Sequence, residues 1–194
     1  MKLAILSGTF NPIHNAHVDV AKYVKRQFDY DKILIIPAYN PPLKDNCESA
    51  LHRLNMVKLA LEKEEGLVLS AIEYENRGKS YSYLTVQKLY ERYKIEGKLG
   101  FIIGTDAYVG LEGWQHSDEL KKYVDFIVFE REISFEDEKV KELQSKGFNL
   151  IRAELPFNDI SSSMIRRKLK NNESIDGLVE KSVEDYIYEN GLYK

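Results

Sequence analysis

The sequence predicts an α/β fold, a doubly wound parallel sheet followed by a small helical C-terminal subdomain. Three observations carry the prediction. Short apolar runs of strand length alternate with longer stretches of helical periodicity, which implies βαβ units and parallel pairing. The runs are apolar without a break, as in Ile33-Leu34-Ile35-Ile36, as expected of strands buried on both faces. Beyond Pro156 the strand-like runs stop and only helical patterns remain.

Taken in order, strands are expected over Leu3–Leu6, Ile33–Ile36, Leu67–Ile72, Leu99–Ile103, Asp125–Phe129 and Phe148–Ile151. Helices are expected between them over Asn15–Phe28, Ser49–Glu64, Tyr81–Tyr93 and Glu136–Lys146. In the second of these, Leu51, Leu54, Val57 and Leu61 recur at helical spacing. Two further helices, Ser161–Lys170 and Val179–Glu189, close the chain, the latter stopping at Asn190-Gly191. The expected organisation is one domain over 1–194, an α/β core over 1–155 and the helical subdomain over 156–194. Three of the five prolines lie between Pro37 and Pro42 and stiffen the loop after the second strand.

Composition removes several function classes. The 194 residues carry 28 Lys plus Arg against 31 Asp plus Glu, a formal net charge of −3. That balance argues against broad nucleic-acid binding, which rests on cationic surface, but leaves room for a small anion held by local cations. Cys47 is the sole cysteine, so neither an intrachain disulfide nor a multi-thiolate zinc site can form. No apolar run approaches the ~20 residues that span a bilayer, and the N-terminal run is too short for a signal peptide. These features predict a cytoplasmic protein with no membrane partner.

In open α/β sheets, ligands bind at the carboxyl ends of the strands, so the segments after strands carry the information. The first reads Ser7-Gly8-Thr9-Phe10-Asn11-Pro12-Ile13-His14-Asn15-Ala16-His17. It lacks the glycines of a dinucleotide fingerprint and of a P-loop. Gly8 permits close backbone approach and Pro12 stiffens the turn. His14 and His17, three apart on a first helical turn, would project from one face beside unpaired N–H groups. Such a pair can donate to an anion, serve as a cap and a packed core histidine, or ligate a metal. No third ligand pattern completes a zinc site, so no metal bound by the protein alone is expected.

The segment Gly8–His17 resembles the HxGH signature of the nucleotidylyltransferase superfamily. Ile160-Ser161-Ser162-Ser163-Met164-Ile165-Arg166 resembles its second signature, ISSTxIR, with 145 positions from His17 to Ser162. Further matches are similar to bacterial nicotinate-nucleotide adenylyltransferases. They are Ile36-Pro37 with Pro41-Pro42-Leu43-Lys44, Arg53, Arg77-Gly78-Lys79-Ser80-Tyr81-Ser82, Phe101-Ile102-Ile103-Gly104-Thr105-Asp106, Trp114, and the ending Tyr186–Tyr193. The resemblance spans nearly the whole chain and implies a Rossmann-like nucleotide-binding core with no further domain. The chain departs from the family pattern at Ser7 and Ala16 (commonly Gly), Asn11 and Leu84 (commonly Asp), and Glu132-Ile133 (commonly Pro-Gly).

The resemblance implies transfer of AMP from ATP to nicotinate mononucleotide, releasing pyrophosphate, with Mg²⁺ accompanying the triphosphate. It implies catalytic roles for His14, His17, Lys44 and Arg166. ATP would meet Gly8, Thr9, Phe10, His14, His17, Ser161, Ser162, Ser163 and Arg166. The acceptor would meet Ser82, Tyr83, Thr85, Gly104, Asp106 and Trp114. Each has a simpler reading: Lys44 a solvated loop lysine, one of the serines a helix N-cap, Trp114 a core residue, Asp106 a cap. Cys47 is expected to be incidental. A preference for nicotinamide mononucleotide and a non-catalytic nucleotide sensor are the competing functions. A homo-oligomer is compatible with the sequence.

Overall fold

The computed structural model describes all residues except 43–46, 76–77 and 156–158. Its six strands are β1 (Leu3–Gly8), β2 (Lys32–Pro37), β3 (Leu67–Leu69), β4 (Leu99–Gly104), β5 (Val124–Phe129) and β6 (Leu150–Ala153). They form one sheet in the order β3-β2-β1-β4-β5-β6, every pairing parallel. The chain thus runs outward from β1 on one side, then returns to start the other side with β4. The crevice between the ends of β1 and β4 is the switch point at which such sheets bind ligands.

Period-two alternation along the strands builds two cores. Ala4, Leu6, Ile33 and Ile35 face α1 (Asn15–Gln27), α2 (Ala50–Leu61) and the last two helices, α7 (Ser162–Lys170) and α8 (Lys181–Glu189). Leu3, Ile5, Leu34 and Ile36 face the opposite layer with Phe101, Ile103 and Phe126. That layer holds α3 (Ser82–Arg92), α4 (Thr105–Tyr108), α5 (Ser117–Tyr123) and α6 (Glu138–Ser145). Helices on both faces explain why the strands read as unbroken apolar runs. Among the described residues, no helix is long and apolar enough to cross a membrane.

The structure corrects several expected boundaries. The third strand stops at Leu69, and Ile72–Tyr74 forms a 3-10 turn rather than the strand's end. Ser70 N–H makes the closing bond to Ile35 O, after which Glu73 is drawn toward the β2 loop. The sixth strand begins at Leu150, not Phe148. Gly147, at φ +84°, ends α6 in the left-handed region, and Phe148 N–H bonds back to Leu143 O at 3.1 Å. This Schellman closure takes Phe148 out of the ladder and buries it as a helix stop. The short helices α4 and α5 had no counterpart in the pattern, because four and seven residues are too few to show a period.

Candidate active site

The segment after β1 is a turn that lies over the end of its own strand. Phe10 is buried with φ +48°, and a Cβ on Gly8 would meet its ring at 3.1 Å. Any side chain at position 8 would press on the Phe10 ring and push it outward by a few tenths of an ångström. The peptide Asn11–Pro12 is cis. His14 caps α1 with extended backbone, and its N–H donates to His17 Nδ1 at 3.3 Å. The two rings stack with centroids 3.6 Å apart, and Phe10 meets the His17 ring edge-on at 5.0 Å.

These contacts fix the chemistry of each imidazole. Because His17 Nδ1 accepts a hydrogen bond, the proton of the neutral ring sits on Nε2, leaving that nitrogen as the donor. His14 is buried, and burial, aided by the Arg131 charge, lowers its pKa to about 3. Burial thus favours the neutral imidazole of His14. Its Nδ1 is buried and has no hydrogen-bond partner among the described residues.

The start of α7 closes on this turn from 150 residues away. Ser161 is the N-cap and accepts from Met164 N–H at 3.2 Å, so the capping role falls to this serine. The N–H groups of Ser162 and Ser163 lie in the first turn, where a helix offers no internal acceptor. Ser162 Oγ donates to Pro12 O and Arg166 Nη1 donates to Asn11 O, both at 2.9 Å. Arg166 Nη2 also reaches Ser163 Oγ at 3.3 Å. Both signature segments thus form one wall, with a helix N-terminus and a guanidinium beside the two histidines.

A cleft of about 680 Å³ opens at the β1/β4 switch point. It is lined by Gly8, Thr9, Phe10, His14 and His17, by Ser161–Ser163 and Arg166, and by Gly104, Asp106 and Trp114. Gly104 ends β4 and caps α4; a Cβ there would collide with Asp106 Oδ1. Asp106 is inside α4 rather than its cap. Its Oδ2 pairs with Arg131 Nη1 at 3.4 Å, while its buried Oδ1 has no partner among the described residues. Trp114 is both wall and core: it lines the cleft and packs edge-on against Phe101, centroids 6.0 Å apart.

Beyond Trp114 the cleft continues into a recess of about 490 Å³ lined by Gly8, Thr9, Pro41, Ser80, Tyr81 and Ser82. Ser82 opens α3, so the recess faces a helix N-terminus. Of the expected acceptor residues there, Tyr83 keeps a first-turn N–H while its side chain turns toward His116 and Tyr123 and its hydroxyl accepts from Gln87; Thr85 is not brought to the recess. Thr85 is buried, with its N–H bonded to Tyr81 O and its hydroxyl to Glu73 Oε1 at 2.8 Å. The reason is helical geometry: only the first turn after Tyr81 keeps open N–H groups. Leu84 is exposed and lines, with Lys88 and Glu91, a neighbouring recess that shares Ser80 and Tyr81 with the acceptor recess. Lys44, and Arg77 of the fourth matching segment, lie outside the described residues.

A model of the cytidylyltransferase-like family matches residues 5–168. A protein of Staphylococcus haemolyticus named "probable nicotinate-nucleotide adenylyltransferase" is 37% identical over 99% of this chain and 96% of its own length. One of the same name from Streptococcus pyogenes is 40% identical over 100% of this chain and 89% of its own. The chain belongs to the nicotinate-nucleotide adenylyltransferase family. The fold agrees: nicotinic acid mononucleotide adenylyltransferase of Plasmodium falciparum, solved in complex with NaAD, matches with a TM-score of 0.82. That match has 20% identity and covers 99% of this chain and 97% of the other.

For this adenylyltransferase family member, sequence reasoning left four residues at the site without a role. Arg131 stands behind Asp106 and adds its charge to the burial that lowers the His14 pKa. Tyr193 donates its buried hydroxyl to Asn11 Oδ1 at 2.9 Å, and burial pushes its pKa far up. Glu73 accepts from Tyr39 N–H and Thr85 Oγ1, bridging the β2 loop to α3. Arg53 is fully buried in α2. Arg53 and Tyr193 stood in family-like segments and Arg131 directly before the Glu132-Ile133 departure, whereas Glu73 acts through contacts that no local pattern reveals.

Proposed function

We propose that this protein transfers the AMP moiety of ATP to nicotinate mononucleotide, forming nicotinate adenine dinucleotide and pyrophosphate. One observation carries the reading. His14 and His17, the start of α7 with Arg166, Asp106 and Trp114 converge on one cleft that continues into a recess at the N-terminus of α3.

A phosphate oxygen of the acceptor attacks the α-phosphorus in line, and the bond from that phosphorus to the bridging oxygen breaks as pyrophosphate leaves. No protein nucleophile takes part, and the side chains act by placing reactants and meeting charge. His17 donates from Nε2 to the transferring phosphoryl group. Neutral His14 packs on it and holds its ring plane. The N–H groups of Ser162 and Ser163, with the Arg166 guanidinium, meet the β- and γ-phosphates. Lys44 supplies a further cation from the Pro-rich loop.

Asp106, whose buried Oδ1 has no partner among the described residues, accepts from ribose hydroxyls. Trp114 stacks on the pyridine ring, and the first-turn N–H groups of α3 receive the ring carboxylate. That last contact favours nicotinate over nicotinamide, because a helix N-terminus prefers an anion.

Apart from the single carboxylate of Asp106, the phosphate side of the cleft offers N–H groups, hydroxyls and a guanidinium, which suit phosphate oxygens. Among the described residues, no cluster of three or more His, Cys, Asp or Glu could hold a metal ion. Mg²⁺, expected as the counterion of the triphosphate, would be held by phosphates and water and would supply charge neutralisation there. The reading puts the reaction in the cytoplasm, in keeping with a lone cysteine.

Incubation with ATP, Mg²⁺ and nicotinate mononucleotide tests the reading. One nicotinate adenine dinucleotide per pyrophosphate is expected by chromatography and coupled assay. Dinucleotide absent at micromolar enzyme would contradict it.

A further inference from the structure

Arg53 is 2% exposed and is among the largest fully buried side chains of the protein. Its side chain rises from the first turn of α2 into the space under the cleft, and its polar partners among the described residues are all backbone carbonyls. Nε donates to Glu48 O at 3.0 Å, Nη1 to Thr9 O at 2.8 Å and Ala38 O at 2.5 Å, and Nη2 to Tyr39 O at 3.0 Å. A buried guanidinium costs several kcal/mol to desolvate unless its donors are satisfied. Here four carbonyl dipoles from three separate segments do that, so the arrangement is a built feature rather than a packing accident.

The identity of those segments matters. Thr9 belongs to the turn after β1 that carries the histidines. Ala38 and Tyr39 belong to the loop after β2, which pairs with Ser80 through Asn40 in both directions and so leads to the acceptor recess. Glu48 starts the run into α2, and its own N–H donates to Asn11 Oδ1 at 3.1 Å. A single planar group therefore sets the spacing between the phosphate-side turn and the acceptor-side loop. Being buried, it touches neither substrate.

We propose that Arg53 is a positioning residue for AMP transfer, fixing the separation of the two substrate loops so that the acceptor oxygen meets the α-phosphorus in line. The proposal rests on the two-substrate reading above. In-line attack needs the reacting atoms about 3–3.5 Å apart, and a misplacement of about 1 Å costs on the order of 10²-fold in rate. Lysine keeps the charge and the stem but lacks the planar fork, so it cannot reproduce four divergent bonds.

The test compares wild-type protein with Arg53→Lys and Arg53→Gln. Circular dichroism and melting establish that each is folded at the assay temperature, and calorimetry gives the Kd of ATP alone and of nicotinate mononucleotide alone. For the folded variants kcat is expected to fall at least about 30-fold, with each single-substrate Kd within about threefold of wild type. Arg53→Lys should recover part of what Arg53→Gln loses. A merely structural role predicts wild-type kcat per folded molecule, and that result, in either variant, overturns the proposal. So does a loss of kcat that only follows the unfolded fraction. If the wild-type protein itself makes no dinucleotide, the functional reading falls, and the positioning role with it; an active wild type beside an equally active Arg53→Lys sinks the positioning role alone.

Discussion

At the phosphate end of the cleft, Ser162, Arg166 and Tyr193 reach across 150, 155 and 182 positions of sequence to hold the Asn11–Pro12 turn. At the acceptor end, Glu73 and Ser80 hold Tyr39, Asn40 and Thr85 across 12 to 40 positions. The first end is crowded, with stacked imidazoles beside a guanidinium and a helix start that are already hydrogen-bonded to the Asn11–Pro12 turn. The second is an open recess with an aromatic wall. Donors locked in place before substrate arrives act on the transition state, whereas an open wall binds ground state and transition state alike. The two ends should therefore separate in kinetics, one in kcat and the other in KM.

The sharpest way to break that contrast is His17→Ala. It removes the Nε2 donor at the transferring group, and kcat should fall by about 10²-fold or more, the scale of losing one preorganised donor. ATP affinity, measured by calorimetry, should stay within about fivefold because other donors remain. Unchanged turnover would remove His17 from the mechanism and leave the phosphate end no different from the acceptor end.

Trp114→Ala probes the other side. The KM for the acceptor should rise by about tenfold, the order of a lost aromatic stacking contact, with the KM for ATP and kcat little altered. If kcat fell as far as in His17→Ala, the two ends would not be separable. Tyr193→Phe should have the smallest effect: the lost bond to Asn11 Oδ1 is worth about 1 kcal/mol, or about 2–4 °C in Tm by calorimetric scan. Its kcat should stay close to wild type, since Arg166 still holds Asn11 through the backbone.

Legibility in the sequence followed the same division. The parallel sheet could be read from Ile33–Ile36 and its counterparts because burial on both faces leaves an unbroken apolar run. The histidine turn and the serine-arginine helix start could be read because glycine, proline and capping residues have fixed backbone meaning. Their mutual contact could not be measured from sequence, since nothing local in either segment encodes a bond between Arg166 and Asn11. Thr85 was misplaced because a motif names residues but not which N–H groups a helix has already consumed. Phe148 looked like strand and serves as a helix stop, since an apolar residue after Gly fits either until the hydrogen bond to Leu143 is seen. Arg53 is the plainest case. An arginine on a helix reads as surface, and only the fold shows four carbonyls around it.

The donors at one end thus transfer AMP onto the nucleotide selected at the other. Pyrophosphate release, measured with ATP and with nicotinate or nicotinamide mononucleotide in parallel, tests it most directly. A kcat/KM at least tenfold higher with nicotinate mononucleotide is expected, about 1.4 kcal/mol of transition-state preference from the α3 N-terminus. Equal values for the two acceptors, or no pyrophosphate with either, would contradict it.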